Sequence, residues 1–182
     1  MIPTVRGMAE EGRKYRGVLY AGLMIQGERV KVLEFNARMG DPETQPLLMR
    51  MKSDLIPVLL GTMEGKLSTL KAQWDERASV CVVMASGGYP GVYEKGKAIA
   101  GLEEAAKVPD TFVFHAGTAR KDGKIVTSGG RVLGVTALGK GIQQAIEKAY
   151  MAAGKISWEG SYYRKDIGQK ALKRETKGEK ER

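Results

Sequence analysis

The sequence is poor in the residues and segments that mark several protein classes. It contains one cysteine, Cys81, which excludes an internal disulfide framework and a cysteine-ligated zinc site. Its longest apolar runs, such as residues 80–85, have the length of a strand and are too short to span a bilayer. No apolar stretch of the signal-peptide kind follows Met1. These absences predict a cytoplasmic protein that has no contact with a membrane.

Acidic residues are fewer than basic ones, 21 against 30, which gives a net charge of +9. Residues 164–182 contribute +4 of this excess, from eight basic and four acidic side chains. The tail at 173–182 is polar and low in apolar residues, which predicts a disordered basic segment. The remaining +5 suits an anionic small substrate equally well, so nucleic acid is not the expected partner. A basic nucleic-acid-binding module stays open as an alternative.

What remains is an ordinary globular composition over 182 residues, enough for one domain or one and a half. Apolar periodicity and turn residues predict an α+β fold. The first part is expected to contain a helix, an antiparallel hairpin and two further helices, at residues 2–14, 18–25 with 29–36, 45–51 and 53–63. Short strands and one helix are expected in the second part, at residues 79–85, 111–115, 124–127, 131–137 and 140–153.

The most informative spacing is Glu34 and Asn36 at the end of the second strand. Side chains alternate between the two faces of a strand, so this carboxylate and this amide share one face. Oxygen ligands at that spacing suit Mg²⁺, which keeps waters and phosphate oxygens as its other ligands. Arg38 and Asp41, in the loop that follows, add charge beside the pair. An exposed polar edge of the strand is the simpler alternative.

A second candidate is the loop that ends at Arg131. Gly129 and Gly130 let the backbone approach a ligand closely, and an arginine can hold phosphate through two parallel hydrogen bonds. A tight turn followed by a solvated arginine is the alternative. His115, the only histidine, and Cys81 are expected to have structural roles.

Several longer strings closely resemble the glycinamide ribonucleotide synthetase (phosphoribosylamine–glycine ligase) family of ATP-grasp enzymes. They extend from about residue 3 to 172, in family order. In the first part they are GVLYAGLM at 17–24, VLEFNARMGDPETQ at 32–45 and SDL at 53–55. In the second part they are ASGGYPG at 85–91, FHAGT at 114–118, TSGGRVLGVT at 127–136 and YRKDIG at 163–168. Met39 stands where the family usually shows phenylalanine.

The resemblance implies a fold and a division of the chain. Residues 1–72 would be the carboxy-terminal portion of an ATP-grasp domain and would carry the metal-binding strand. Residues 73–172 would be a small, mixed α/β, barrel-like terminal domain, followed by the tail at 173–182.

The resemblance also implies a reaction of purine biosynthesis, in which ATP drives the joining of glycine to 5-phosphoribosylamine through a glycyl phosphate. By motif, Glu34 and Asn36 would bind Mg²⁺ or Mn²⁺, which holds the ATP phosphates. Arg38 would stabilise the transferred phosphoryl group, and it would contact substrate together with Asp41. Arg131 would bind the phosphate of phosphoribosylamine.

The family's glycine-rich nucleotide lid and amino-terminal substrate domain have no counterpart in these 182 residues. We therefore expect the chain to be inactive without an amino-terminal half, because reacting groups misplaced by ~1 Å can lose about 10²-fold in rate. A non-catalytic subunit of a split ligase is an alternative, and an exposed apolar face on residues 18–25 would favour it.

Overall fold

The computed structural model describes residues 1–173, and the chain divides into two units. Among the described residues, the first unit comprises 1–44 and 51–74, and the second comprises 45–50 and 75–173. The disordered tail predicted at 173–182 lies outside the described residues, apart from Lys173. None of the helices within residues 1–173 has both the length and the apolar character needed to cross a bilayer.

The helices of the first part begin and end at recognisable signals. Asp54 caps a helix, since its Oδ1 accepts a hydrogen bond from the backbone N–H of Ile56 at 2.9 Å, and Gly65 ends it at φ 74°. The first helix stops at Glu10, so the expectation that it reaches residue 14 is wrong. The chain instead turns at Gly12, where φ is +75°. The helices are α1 (Ile2–Glu10), α2 (Thr44–Arg50) and α3 (Leu55–Glu64), and Leu67–Thr69 form a 3₁₀ turn.

The predicted hairpin is present and antiparallel, with strands β1 (Tyr20–Gln26) and β2 (Arg29–Asn36). Its register shifts between Gly22 and Leu23, which leaves Leu33 without a partner on β1. This bulge interrupts the regular alternation of side chains along β2 at Leu33.

The second unit is built on a four-stranded antiparallel sheet with the order β4-β7-β3-β8. A separate hairpin joins β5 and β6 through Asp122 and Gly123, both at positive φ. The strands are β3 (Ala78–Ala85), β4 (Thr111–His115), β5 (Thr118–Lys121), β6 (Lys124–Thr127), β7 (Arg131–Gly139) and β8 (Tyr162–Tyr163). The helices are α4 (Leu102–Ala106) and α5 (Ile142–Ala153).

The core of this unit lies between the central strands β3 and β7 and the helix α5. Val82, Met84 and Val135 are fully buried in the sheet, and Ala145 and Ala149 of α5 are fully buried in the same core cluster. Small residues on one face of α5 allow it to pack closely on a sheet rich in β-branched side chains. The helix predicted at 140–153 is confirmed.

A network of charges joins the start of β3 to the turn before β4. Arg77 forms ion pairs with Asp75 at 2.8 Å and with Asp110 at 2.9 Å, and Lys148 of α5 contacts Asp110 at 2.5 Å. Hydrogen bonds from Lys148 and Arg77 lower the pKa of Asp110. The network therefore links three separate segments of the unit.

These elements give the described chain a mixed α/β fold with antiparallel sheets, as the α+β prediction states. The helix–hairpin–helices order predicted for the first part is also observed.

Candidate functional site

The structure brings Glu34 and Asn36 together at the end of β2. The Asn36 side-chain N–H donates to Glu34 Oε1 at 3.0 Å, so the two residues lie on the same face of the strand. Glu34 is exposed and Asn36 is partly buried. The pair can therefore be reached from solvent.

Glycine on the neighbouring strand makes room for the carboxylate. Gly22 lies opposite Glu34 in the ladder, and a Cβ at Gly22 would stand 3.0 Å from Glu34 Cγ. That approach is closer than ordinary van der Waals contact, so a larger residue at position 22 would displace the Glu34 side chain.

Tyr20 is a neighbour of this pair that the sequence did not single out. It lies opposite Asn36 in the ladder, and its phenolic O–H donates to Glu43 Oε1 at 3.1 Å. That hydrogen bond, together with burial and the nearby charges of Glu43 and Glu34, raises the pKa of the Tyr20 phenol. The period of two along β1 places Tyr20 and Gly22 on one face, which is the signal that could have identified it.

Arg38 and Asp41 lie in the loop that follows β2. The Arg38 guanidinium donates to the carbonyl oxygen of Met39 at 2.9 Å, rather than to the Glu34 carboxylate. Both side chains are exposed. The guanidinium of Arg38 and the carboxylate of Asp41 thus lie at the surface, in the loop that follows the pair on β2.

The donor set fits a metal ion that is shared with a phosphate ligand. Among residues 1–173, His, Cys, Asp and Glu side chains form no group of three that could hold a metal ion. Glu34 and Asn36 offer a carboxylate and an amide oxygen, which are ligands of the hard type that Mg²⁺ and Mn²⁺ accept. Mg²⁺ commonly binds through one or two protein oxygens and completes its shell with water and phosphate oxygens.

Arg131 lies in the second unit, as the first residue of β7, and it is exposed. Its Nε donates to the Tyr89 hydroxyl at 3.0 Å, and its guanidinium carbon stands 5.9 Å from the centre of the Tyr89 ring. A Cβ on Gly130 would overlap the same ring, so glycine is needed there. Tyr89 therefore orients Arg131, although the two residues are 42 positions apart.

Backbone contacts hold the loop before Arg131 in place. Ser86 Oγ donates to the carbonyl oxygen of Gly129 at 2.9 Å. The backbone N–H of Ser86 donates to the carbonyl oxygen of Gly130 at 2.8 Å. A Cβ on Gly117 would stand 2.6 Å from Gly129 Cα, so the two chain segments touch. The guanidinium thus extends from a fixed support, which favours recognition of a ligand of defined shape.

His115 and Cys81, for which structural roles are expected, have surroundings consistent with those roles. His115 Nδ1 lies 3.1 Å from Thr118 Oγ1 across the turn between β4 and β5. Cys81 is 8% exposed within β3. Asp166 forms an ion pair with Arg164 at 2.7 Å.

Two family models match the chain. One describes the ATP-grasp (A) domain of phosphoribosylglycinamide synthetase and matches residues 1–44. The other describes the C domain of the same enzyme and matches residues 79–170, which is just over half of the chain. The chain belongs to the phosphoribosylglycinamide synthetase family. The resemblance found in the sequence motifs is confirmed.

Curated relatives agree with this assignment to the phosphoribosylglycinamide synthetase family. The phosphoribosylamine–glycine ligase of Pseudomonas aeruginosa is 56% identical over 176 residues, which is 96% of this chain and 41% of that protein. The ligase of Caldanaerobacter subterraneus is 57% identical over 91% of this chain, and the chloroplastic ligase of Arabidopsis thaliana is 52% identical over 98%. The chain spans about 40% of the length of the bacterial relatives.

Solved structures give the same fold. The phosphoribosylamine–glycine ligase of Thermotoga maritima superimposes with a TM-score of 0.74 at 38% identity, over 88% of this chain and 39% of that one. The N5-carboxyaminoimidazole ribonucleotide synthetase of the same organism matches at 17% identity with a TM-score of 0.55, which supports the fold alone.

Proposed function

We propose that the chain acts as the carboxy-terminal part of a phosphoribosylamine–glycine ligase. The observation that carries this proposal is the Glu34–Asn36 pair, which lies on one strand face within the segment that matches the ATP-grasp domain of the family. The reaction would join glycine to 5-phosphoribosylamine with ATP as co-substrate, in purine biosynthesis. The products would be glycinamide ribonucleotide, ADP and phosphate.

The chemistry explains why phosphoryl transfer is needed. The carboxylate of glycine is a poor electrophile, because its charge is spread over two oxygens. Transfer of the γ-phosphoryl group to one of these oxygens releases ADP and leaves a glycyl phosphate. The amine nitrogen of phosphoribosylamine then attacks the carbonyl carbon, and phosphate departs as the new carbon–nitrogen bond forms and the nitrogen loses a proton.

The residues of the first unit are assigned to the phosphoryl transfer. Glu34 and Asn36 would hold Mg²⁺ or Mn²⁺, which neutralises the charge on the ATP phosphates. Arg38 would stabilise the negative charge that develops on the transferred group, as a cation directed at that charge. Asp41, exposed in the same loop, would contact substrate. Its carboxylate suits the ammonium group of glycine.

Arg131 of the second unit is assigned to the phosphate of phosphoribosylamine. A guanidinium can present two parallel N–H groups to phosphate oxygens, and the Tyr89 hydroxyl accepts from Nε and fixes the plane of the group.

The exposed apolar residues of the hairpin support a role for an amino-terminal half. Leu23, Ile25, Val30, Leu33 and Phe35 are all exposed, and Leu33 reaches 64%. A two-stranded hairpin is marginally stable alone, and an apolar patch of this kind marks a covered surface in the complete protein. The same observation favours the second candidate function, a non-catalytic subunit of a split ligase.

The remaining parts of the hypothesis follow the family. We propose that residues 1–72 end the ATP-grasp domain and that residues 73–172 form the terminal domain with a barrel-like curvature. The cytoplasmic location stays a prediction. A nucleic-acid-binding module is the other alternative. A titration at low salt that shows no binding of DNA or RNA would exclude it.

The decisive experiment measures ADP release with ATP, Mg²⁺, glycine and phosphoribosylamine. It compares this chain alone with the assembled ligase, which is this chain mixed with the separately made amino-terminal portion of the Pseudomonas aeruginosa relative. We expect activity in the mixture and none from either part. Turnover by the chain alone would contradict the proposed distribution of ATP contacts, and no turnover in the mixture would contradict the ligase assignment.

Replacing Arg131 with Ala in the assembled ligase should raise the KM for phosphoribosylamine roughly 10- to 100-fold. The expected size corresponds to loss of a charge-assisted pair of hydrogen bonds, about 1.5–3 kcal/mol. The KM for ATP should not change, since Arg131 is assigned to the other substrate. Steady-state kinetics with each substrate varied in turn will measure both constants.

Arg120→Ala is the matched control, because Arg120 is an exposed arginine of β5 in the same unit. It should leave both KM values unchanged. A change confined to the KM for ATP in the Arg131 variant would show that the loop at 128–131 binds a different substrate.

A further inference from the structure

The face that carries Glu34 and Asn36 continues onto β1. Tyr20 pairs with Asn36 and Gly22 pairs with Glu34. Residues paired directly across antiparallel strands lie on the same face of the sheet. The Tyr20 ring is therefore next to the proposed metal ligands, although no contact with a metal or a substrate is assigned to it.

The Tyr20 ring lies close to two glycines. A Cβ on Gly22 would stand 3.7 Å from Tyr20 Cε1, and a Cβ on Gly40 would stand 2.9 Å from Tyr20 Cε2. Both glycines are buried. The first belongs to β1 and the second to the loop after β2, so the ring fills the space between the strand face and the loop.

The phenolic hydroxyl of Tyr20 forms a hydrogen bond with the loop at 37–43. Tyr20 donates to Glu43 Oε1, and a Cβ on Gly40 would overlap Glu43 Oε2. The loop is closed at its end by Thr44, whose Oγ1 donates to the carbonyl oxygen of Gly40 at 2.6 Å. The segment between these anchors and β2 contains Arg38 and Asp41, the residues assigned to the substrates.

We propose that Tyr20 is a positioning residue, whose hydroxyl acts through Glu43 to hold the loop at 37–43 beside the Glu34–Asn36 face. This inference rests on the proposed function, since it concerns the presentation of Arg38 and Asp41 to bound substrate. Fixing the loop before the reaction removes the entropy cost of ordering it in the transition state.

Tyr20→Phe tests the proposal, because it removes the hydroxyl and keeps the ring between the two glycines. In this chain, the variant should be cut by trypsin after Arg38 at least about three times faster than the parent, since a loosened loop enters a protease more readily. In the assembled ligase, kcat should fall about 10-fold, the rate effect of a loop misplaced by less than ~1 Å. The Mn²⁺ dissociation constant, followed by electron paramagnetic resonance, should change less than about twofold.

Two further variants separate positioning from general stability. Tyr15→Phe is the matched control, because the Tyr15 hydroxyl donates to the carbonyl oxygen of Val18 in the same unit at 2.6 Å. It should alter neither cleavage after Arg38 nor kcat. Glu43→Ala should reproduce the effect of Tyr20→Phe, and the double variant should be no worse than either single one, as expected for two residues that act as a unit.

The outcomes distinguish this inference from the proposed function. An active assembled ligase in which Tyr20→Phe leaves kcat and tryptic cleavage unchanged would overturn only the role of Tyr20. Fully additive effects of Tyr20→Phe and Glu43→Ala would also overturn it, as would faster cleavage without a loss of kcat. Absence of ligase activity in the assembled parent would refute the proposed function and the role that rests on it.

Discussion

Replacing Glu34 with Gln should lower the Mg²⁺-dependent turnover of the assembled ligase by at least roughly 100-fold. Gln keeps the shape of the side chain and an oxygen that can accept from Asn36, but it removes the only charge of the pair. Loss of that charge weakens the hold on the metal and leaves the phosphate charges less neutralised during transfer. Stability should change by less than about 0.5 kcal/mol, because Glu34 is exposed.

Turnover, Mn²⁺ affinity and thermal unfolding will be measured together for this variant. Glu28→Gln is the matched control, since Glu28 is an exposed carboxylate in the turn of the same hairpin. It should behave as the parent in all three measurements. If the Glu34 variant retained parental turnover and parental Mn²⁺ affinity, the metal assignment would be refuted.

Replacing Gly101 with Ala should destabilise the second unit by about 2–5 kcal/mol. Gly101 has φ +82°, and a Cβ there would overlap the backbone carbonyl oxygen of Lys155. The overlap is with backbone, which cannot rotate away as a flexible side chain can. Hydrogen bonds between Ala100 and Ser157 hold the two segments together, so relieving the overlap would break the pairing beside it.

Gly96→Ala separates the two causes of this effect. Gly96 has φ +81°, almost the same as Gly101, but a Cβ on Gly96 would meet no atom within 4 Å. The Gly96 variant should therefore be destabilised only by the strain of the left-handed conformation, about 1–2 kcal/mol. Urea unfolding of both variants will measure the difference. Equal losses of unfolding free energy in the two variants would show that the close approach of the Lys155 carbonyl does not contribute to the destabilisation.

Local patterns in the sequence determined the elements that follow a simple period. Apolar periodicity predicted a strand at 29–36, observed as β2, and a helix at 140–153, observed as α5. The helix expected at 53–63 is observed as α3, capped by Asp54. The shared face of Glu34 and Asn36 also follows from the period of a strand, since the two residues are two positions apart.

Three short elements were not predicted from the sequence, namely α4 with five residues, β5 with four and β8 with two. The strand β8 depends on a distant partner, because it pairs with Met84 and Ala85 of β3. The bulge at Leu33 has the same origin, because a register shift is a property of two strands together.

The sequence by itself determined the family, the main secondary structure and the residues that carry the proposed chemistry. Only the tertiary structure decided which side chains support them. Tyr20 and Glu43 are 23 positions apart, and Tyr89 and Arg131 are 42 apart. Periodicity specifies the face of an element on which a residue lies, whereas the contacts between two elements depend on the packing of the whole unit. The glycines at 22, 40 and 130 leave room for these contacts, because a side chain at any of them would crowd a neighbouring side chain.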